Sequence, residues 1–496
     1  MQVLKAAFVA MACALLAACR TTAPAQPVSL AIVNVTVIDP ETRRLLPNHN
    51  VYVDGDRILA VIPARRRAPY VPARTVDATG KYLIPGLMDM HVHLFLPEPT
   101  APSLNLLIAN GVTGIREMSG DCWEAAGARK GCISDYRRLQ GRIKAGEVAG
   151  PEILSLASTM VMGPTRLKLP ENAPSFITPR TAGEARTLVR HLHGRGVDLV
   201  KTHDSIPPAA FAALMAEARL LGIEVSGHVP FDAGTLGAIR QGFRSIEHAR
   251  DPLYDCSRYA SGFRRQESAV AEEKPGAERP TNLVRLTRTV TEFDPSLCRS
   301  MLSEFARSGA FYVPTHVTRE MEALAGDPSY RNAEPRKYVL PERNKRWESD
   351  LAETAGLPAE ERAALEAFFR HGLTITGLAH RAGVPIMAGT DANDTMIVPG
   401  FSLHRELRLL TQAGLSPMDA LRAATAIPAA YLRRTDRYGG ISAGKEADLV
   451  LLGANPLADI RNSTAIELVV SDGQVLDRSA LDALLAEVEQ AARPPA

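Results

Sequence analysis

The sequence predicts an α/β protein: a (β/α)8 barrel of the TIM type with a small β-sandwich domain built from both chain ends. Three observations lead to this fold. The central part of the chain alternates short apolar runs with helical stretches, and strand-like runs flank it on both sides. Glycines also end several helices just before a strand begins, at Gly196, Gly222, Gly242, Gly309 and Gly383. Eight such units favour a closed parallel barrel, and the first strand lacks the glycine-rich phosphate loop of a doubly wound sheet.

The β domain is predicted from residues 28–86 and 436–480. Its strand-like runs are residues 30–38, 51–53, 58–62, 447–452 and 468–476. A hairpin-type turn at Asp54-Gly55-Asp56 separates two of them. Neither group has enough strands to bury a face alone, so we expect both groups to join in one domain. Residues 481–496 would form a C-terminal helix or tail.

The barrel is predicted over residues 87–435. Its strands would be residues 87–94, 112–116, 153–157, 197–201, 223–228, 245–248, 310–314 and 384–389. Two connections, residues 249–295 and 316–360, are much longer than usual. Both follow strands, so both would lie over the end where barrel enzymes place their chemistry. They could be lids or specificity loops, or surface insertions without a role.

The N-terminus has the pattern of an export signal. Lys5 precedes an apolar stretch of signal-peptide length, and small residues lead into Cys19. This ending resembles the bacterial lipobox, in which the cysteine is lipidated, and a chance cysteine after an ordinary cleaved signal is the alternative. We expect a signal peptide over residues 1–19, a flexible tether over 20–27, and a lipid anchor at Cys19. The protein would then be a cell-envelope lipoprotein, on the periplasmic face of the outer membrane.

Four cysteines remain after the leader, and an oxidising compartment would allow three pairings among them. Sequence proximity favours Cys122 with Cys132 and Cys256 with Cys298. A metal site built from cysteines is the weaker interpretation, because no Cys-x-x-Cys spacing occurs.

Composition excludes some classes of partner. The chain has 496 residues, with 57 basic and 55 acidic side chains and a net charge of +2. Nothing in this balance indicates nucleic acid or an acidic membrane surface as a partner. Only 5% of the residues are aromatic, which also argues against a surface on which the bases of single-stranded nucleic acid would stack. Whether the protein forms a homo-oligomer is left open.

Polar side chains stand at the predicted strand ends. His91 and His93 are two residues apart, so they project from the same side of the first strand. Later strand ends supply Lys201, His228, His248 and Asp391. In a parallel barrel these ends meet at one face. Each histidine alone is more often a packing or surface residue, but together they predict a metal centre.

These motifs resemble the amidohydrolase superfamily, and in particular its imidazolonepropionase-like and prolidase-like hydrolases. The resemblance also covers the flanking β domain and residues 442–449. It implies two divalent metal ions, usually zinc: His91, His93 and Asp391 would bind one, and His228 and His248 the other. Lys201 would bridge them through a carboxylate derived from carbon dioxide, because an ordinary ammonium would be repelled by two dications. A plain lysine beside a single metal is the alternative.

The resemblance implies hydrolysis of amide bonds, with the metals activating water and Asp391 shuttling the proton. A dipeptide or N-acyl amino acid is the first substrate class, and a cyclic amide or lactone is the second. An exported binding protein without turnover remains another class. His203 and His316 are weaker candidates for substrate contacts, and His203 departs from the tyrosine that several relatives carry near this point.

Overall fold

The computed structural model describes residues 26–94, 100–120, 132–163, 176–272 and 274–493. The predicted signal peptide, the lipidation residue Cys19, most of the tether and Cys122 lie outside these residues. Within the described ranges, no helix is both long and apolar enough to span a bilayer.

The chain begins with antiparallel and parallel pairings around one long strand. The strands are β1 Gln26–Asp39, β2 Arg44–Asp54, β3 Arg57–Pro63, β4 Tyr70–Asp77 and β5 Tyr82–Pro85. The first half of β1 pairs with β4, and its second half pairs with β5. Between the halves, Asn34 has a φ of 60° and the register against β2 shifts. Asparagine tolerates this left-handed conformation better than most residues, so β1 can change partners there.

Among its described residues, the central region contains nine further strands: β6 Leu87–Val92, β7 Val112–Glu117, β8 Glu152–Leu156, β9 Met160–Val161, β10 Phe176–Ile177, β11 Leu199–Thr202, β12 Glu224–Gly227, β13 Ser245–Glu247 and β14 Phe311–Val313. They form two parallel sheets, β6-β7-β8 and β10-β9-β11-β12-β13-β14. Every residue of β6 and β7 is buried, as expected for parallel strands covered on both faces. Isolated parallel bridges join Ala157 to Leu199, Tyr312 to Ile386, and Val92 to Ala392.

The predicted strand at 384–389 is not a regular strand, which corrects the sequence-based expectation. The segment does lie between β14 and β6, because Met387 donates to Tyr312 O (2.9 Å) and Met90 donates to Ala388 O (3.0 Å). The ladder is interrupted because Pro385 has no N–H to donate. The N–H of Ala388 is also directed away from the sheet, to Ala423 O at 2.8 Å.

Helices surround these strands. They are α1 Ala101–Ala109, α2 Ile133–Lys144, α3 Ala182–Arg195, α4 Pro208–Leu221, α5 Gly234–Arg240, α6 Asp251–Asp255, α7 Ala260–Ala271, α8 Asn282–Thr291, α9 Pro295–Ser308, α10 His316–Leu324, α11 Pro328–Arg331, α12 Pro341–Ala355, α13 Ala359–Ala382, α14 Phe401–Gln412, α15 Pro417–Ala423 and α16 Ala426–Tyr431, with a 3-10 helix at Glu334–Tyr338. Four of them end in left-handed glycines, as predicted: Gly196, Gly222, Gly309 and Gly383.

The C-terminal segment completes the first sheet. It contains β15 Leu449–Leu452, a 3-10 helix Ile460–Thr464, β16 Ile466–Ser471, β17 Gln474–Asp477 and α17 Arg478–Ala491. β15 pairs antiparallel with β5, so the sheet runs β17-β16-β15-β5-β1-β2-β3, with β4 beside β1. Side chains from β2 and from β16 belong to one packed cluster. Strands from both chain ends therefore belong to one hydrogen-bonded sheet, and the separate β-sandwich domain stays a prediction.

The two long connections are largely helical. The first contains α6, α7 and α8, and the second contains α10, α11 and α12. A disulfide joins Cys256, just after α6, to Cys298 in α9. Cys132 is also disulfide-bonded, but the pairing with Cys122 stays a prediction because Cys122 is outside the described residues.

Candidate active site

A cavity of about 320 Å³ opens at the carboxyl ends of the parallel strands. Five of the six predicted ligands line it: His93, Lys201, His228, His248 and Asp391. The sixth, His91, lies beneath them with no solvent exposure. A volume of this size suits a small ligand.

His91, His93 and Asp391 form the most compact group. The Nε2 atoms of His91 and His93 lie 3.3 and 2.9 Å from Asp391 Oδ1. Burial acts to raise the pKa of Asp391, but the nearby imidazoles of His91 and His93 outweigh it and hold this pKa well below its usual value. The carboxylate is therefore ionised. Asp391 has a φ of 66°, a strained conformation of the kind found at functional sites.

Lys201 extends into the same group from β11. Its Nζ lies 2.9 Å from His91 Nε2, and the residue is 1% exposed. Burial lowers the pKa of Lys201 to about 8. An amine nitrogen beside an imidazole nitrogen in a buried site is the arrangement expected of two metal-binding groups rather than of a salt bridge.

His228 and His248 complete the group from the ends of β12 and β13. Their ring centroids are 4.7 Å apart, and His248 is 4.8 Å from His91. Burial lowers the pKa of both imidazoles well below the usual value. Nδ1 of His228 is buried and has no hydrogen-bond partner among the described residues. Neutral imidazoles with an orphaned nitrogen fit a metal site, since a ligating nitrogen must be unprotonated.

A buried ion pair orients His91. Nδ1 of His91 lies 2.8 Å from Glu247 Oε2, and both carboxylate oxygens of Glu247 accept from Arg116 Nη2 at 2.8 Å. Burial would raise the pKa of Glu247, but Arg116 outweighs it and brings this pKa to about 2. Such a carboxylate fixes the tautomer and direction of a metal-binding histidine. Glu247 and Arg116 were not predicted as site residues, although Glu247 directly precedes His248 and Arg116 ends a predicted strand.

The carboxylate of Glu117 positions His93 through Ser119. Its Nδ1 lies 2.8 Å from Ser119 Oγ, and the Ser119 N–H donates to Glu117 Oε1 at 3.0 Å. The other oxygen of Glu117 accepts from the N–H of Leu94 at 2.7 Å. Burial raises the pKa of Glu117. These contacts fix the end of β6 and the ring of His93 together.

Asp89 connects β6 to the loop that carries Asp391. Its carboxyl accepts from the N–H of His91 at 3.2 Å, from the N–H of Thr390 at 3.0 Å and from Thr390 Oγ1 at 2.6 Å. Burial raises the pKa of Asp89 to about 7. The relative positions of His91 and Asp391 therefore depend on this side chain, which the sequence analysis did not single out.

The two weaker candidates differ in position. His203 lines the cavity, with its ring 4.1 Å from that of His228 and its Nδ1 2.9 Å from Asp204 Oδ1. His316 is fully buried, its Nε2 lies 2.9 Å from Thr376 Oγ1, and it is not among the lining residues. The predicted substrate contact of His316 thus has no support in this geometry.

The outer wall of the cavity comes from α12, in the second long connection. Arg343, Arg346, Trp347 and Asp350 line the cavity from this helix. From the sequence, the role of residues 316–360 was open, and none of these four side chains was predicted as a site residue. Their helical spacing is visible in the sequence, but the direction in which that face points is not.

The site residues thus fit a metal centre of imidazole, amine and carboxylate donors, as the superfamily implies. His91, His93 and Asp391 offer ligand atoms within 4.8 Å of one another. His203, Asp204 and His228 form a second group of this kind. The fold and the site together define a metal-dependent type of hydrolase.

Comparison with known proteins shows that the chain belongs to the amidohydrolase family, whose sequence profile matches residues 184–476. It is a hydrolase that acts on carbon–nitrogen bonds. Ochratoxinase of Aspergillus niger is 24% identical over 452 residues, which cover 82% of this chain and 78% of the relative.

Solved structures share the fold. A bottromycin amidohydrolase superposes with a TM-score of 0.69 and 23% identity, over 93% of this chain and 90% of that chain. A Xaa-Pro dipeptidase with bound methionine in its active site has a TM-score of 0.62 and 21% identity, over 90% of this chain and 99% of that chain. The A. niger ochratoxinase structure has a TM-score of 0.62 and 19% identity, over 90% and 95%.

Proposed function

We propose that this protein hydrolyses the amide bond of a small substrate such as a dipeptide or an N-acyl amino acid. The observation that carries the proposal is the meeting of six strand-end side chains, including the ionised Asp391, at a cavity of about 320 Å³. The names of two similar structures, a Xaa-Pro dipeptidase and a bottromycin amidohydrolase, support amide chemistry.

We infer that the site holds two divalent metal ions, with zinc as the expected metal. His91, His93 and Asp391 would hold one ion, and His228 and His248 the other, with Lys201 between them as a carboxylated lysine. When bound, such ions lower the pKa of water and polarise a carbonyl group. The buried Nζ of Lys201 would form its bond to the carbon of carbon dioxide in the neutral state and release one proton.

Asp391 would carry the proton through the reaction. As the water oxygen bonds to the substrate carbonyl carbon, an ionised oxygen of Asp391 accepts the proton of that water. Asp391 then gives this proton to the substrate nitrogen as the carbon–nitrogen bond breaks, so the products are a carboxylic acid and an amine. His91 and His93, fixed by Glu247 and Ser119, keep the carboxylate in place.

The finer architecture is also a proposal. We infer that the two parallel sheets and residues 384–392 form one closed (β/α)8 barrel. The bridges from Ala157 to Leu199, from Tyr312 to Ile386 and from Val92 to Ala392 support this, since they link β8 to β11, β14 to residues 384–392, and those residues to β6.

We propose that the chain is exported and lipidated at Cys19. Support comes from the sequence alone, from the basic start, the apolar stretch and the small residues before the cysteine. Mass spectrometry of the mature N-terminus from a Gram-negative host should find an acylated cysteine. A mature N-terminus whose cysteine carries no acyl group would contradict the anchor.

Metal analysis with a dipeptide and N-acyl amino acid panel tests the proposed function. We expect about two ions per chain, and turnover that falls roughly 10²- to 10⁴-fold in Asp391→Asn. The matched control is Asp436→Asn, because Asp436 is an exposed carboxylate. A metal-loaded wild-type protein that cleaves no amide or ester would instead indicate a binding protein.

A further inference from the structure

We propose that Arg65, Arg66 and Arg67 form a basic surface that binds the anionic headgroups of a phospholipid bilayer. The three arginines lie in the connection between β3 and β4, residues 64–69, and all three are exposed. We call this connection the arginine loop. It would be a second attachment to the membrane, beside the proposed lipid anchor at Cys19, and it goes beyond the proposed hydrolysis.

The protein itself does not neutralise the arginine loop. Among the residues that the structure describes, no carboxylate forms an ion pair with any of its three guanidinium groups, and none of them has a side-chain hydrogen bond. Asp54 and Asp56 lie in the turn before β3, whereas Arg65 follows this seven-residue strand, so roughly 20 Å separates the turn from Arg65. The Debye length at physiological salt is about 8 Å, so these carboxylates offset little of the positive charge at Arg65.

The arginine loop lies beside the point where the chain enters the fold. The N–H of Gln26 donates to Pro69 O at 2.7 Å, and Gln26 is the partner of Tyr70 where β1 and β4 pair in parallel. Arg67 is two residues before Pro69, so their Cα atoms are at most about 7.6 Å apart. The loop and the start of β1 therefore form one end of the described structure.

The proposed anchor would keep this end close to a bilayer. Gln26 follows Cys19 by seven residues, and seven residues span at most about 25 Å. A bilayer that holds Cys19 therefore lies within about 25 Å of Gln26, on the side of the arginine loop. Each arginine near an anionic surface strengthens binding roughly fivefold. Attachment at Cys19 would also raise the effective concentration of that surface at the loop.

An exposed apolar side chain favours a bilayer over another polyanion. Val71 is 55% exposed and is the partner of Pro27 in the β1–β4 pair, one position from Tyr70. An apolar side chain beside basic ones fits the boundary between lipid headgroups and acyl chains. A nucleic acid backbone offers phosphates to the arginines but no apolar partner for Val71. The net charge of +2 does not predict this surface, because it is an average over the whole chain.

Vesicle binding tests the inference with residues 20–496, which keep every described residue and lack the acylation site. Sedimentation at millimolar lipid would compare phosphatidylglycerol–phosphatidylethanolamine vesicles with phosphatidylcholine vesicles. We expect binding to the anionic vesicles alone, and its loss at roughly 1 M salt, where the Debye length is about 3 Å. Replacing all three loop arginines by glutamine should lower the partition coefficient on the order of 100-fold.

The matched control removes the same charge elsewhere. It carries glutamine at three exposed arginines of α3, α7 and α9, which are Arg186, Arg265 and Arg307. This variant should bind anionic vesicles as the wild type does. Both triple variants should keep the wild-type unfolding temperature, since all six side chains are exposed.

Three results would overturn the inference. They are equal binding to anionic and zwitterionic vesicles, a loop variant that binds as tightly as the wild type, and stronger binding to double-stranded DNA than to anionic vesicles. Failure of the proposed anchor has a different outcome, a mature cysteine without an acyl group. Failure of the proposed hydrolysis is a protein that cleaves no amide. Neither of these changes vesicle binding by the chain without its anchor.

Discussion

Arg116 and Glu247 form a bidentate ion pair that is fully buried beneath the histidines of the proposed metal centre. Neither residue has any solvent exposure, and Arg116 Nη2 lies 2.8 Å from both oxygens of Glu247. Desolvation of two charges offsets much of their attraction, so such a pair contributes little net stability by itself. Its effect here is directional, because Glu247 also holds Nδ1 of His91 at 2.8 Å. The ion pair therefore fixes the orientation of the His91 ring.

Glu247→Gln should therefore affect folding and metal binding together. The variant keeps the shape of the side chain but leaves Arg116 as a buried charge without its partner. We expect the free energy of unfolding to fall by about 3–5 kcal/mol and metal affinity to fall roughly 10- to 100-fold. Chemical unfolding and competition with a metal indicator measure the two effects. Glu304→Gln, at the exposed pair with Arg240, is the control and should change neither. Unchanged metal affinity in Glu247→Gln would contradict the orienting role.

Glu406 should give the protein a pH-dependent stability. The residue is fully buried, its Oε2 accepts from the N–H of Val317 at 3.0 Å, and burial raises its pKa to about 8 from 4.5. The folded protein therefore keeps a proton that the unfolded chain releases, and stability is lost as pH rises from 4.5 towards about 8.

The glutamine side chain of the Glu406→Gln variant cannot titrate, so the variant should not lose stability through this group as the pH rises. Between low pH and pH 8, we expect the wild type to lose on the order of 4 kcal/mol of unfolding free energy that the variant does not lose. Urea unfolding at both ends of the range measures the difference. Parallel pH profiles of the two proteins would show that Glu406 is not the responsible group.

The Cys256–Cys298 disulfide should stabilise the first helical connection. Both cysteines are fully buried, and they are separated by 42 positions in the chain. The double serine variant should lose about 2–4 kcal/mol of unfolding free energy, because the unfolded chain regains the freedom that the cross-link removed. Denaturant unfolding of the wild type and the double variant tests this. Equal midpoints for wild type and double variant would contradict it.

Lys201→Met should lower the metal content while leaving the β domain folded. The bridge between the two proposed ions would be lost, so metal analysis should find less than the wild-type amount. Chelation of the wild type should lower its unfolding temperature, since the ligands are gathered in the folded state alone. Nuclear magnetic resonance after labelling with ¹³C carbon dioxide should detect a carbamate carbon in the wild type and none in the variant. A full metal complement in Lys201→Met would show that the lysine is not a ligand.

The convergence of the six candidate ligands could be predicted from the sequence because a parallel arrangement sends every strand end to the same side. His91 and His93 have the two-residue period of a strand, and Lys201, His228 and His248 each end an apolar run. The prediction of a regular eighth strand was wrong, because Pro385 lacks an N–H and the N–H of Ala388 is directed to Ala423 O, which interrupts the hydrogen bonding of the strand. The segment still delivers Asp391 to the site, so its position mattered more than its regularity.

The supporting residues could not be predicted in the same way. Glu117 and Glu247 are the last residues of buried strands. No sequence periodicity marks a functional carboxylate at such a position, because its partners lie far away in the chain. Which face of α12 meets the cavity depends on tertiary packing, because the packing of Trp347 and Leu351 sets the rotation of the helix about its axis. A sequence shows that Arg343 and Arg346 share a face but not what that face meets.

The pairing of β5 with β15 has a consequence for how the chain matures. β5 is synthesised long before β15. Its edge therefore stays unpaired until the C-terminal part of the chain has been made. Open strand edges can pair with other chains, so an incompletely synthesised chain is exposed to such association. A truncation that removes β15 to β17 would leave that edge open permanently, and aggregation rather than a smaller soluble enzyme would be the outcome.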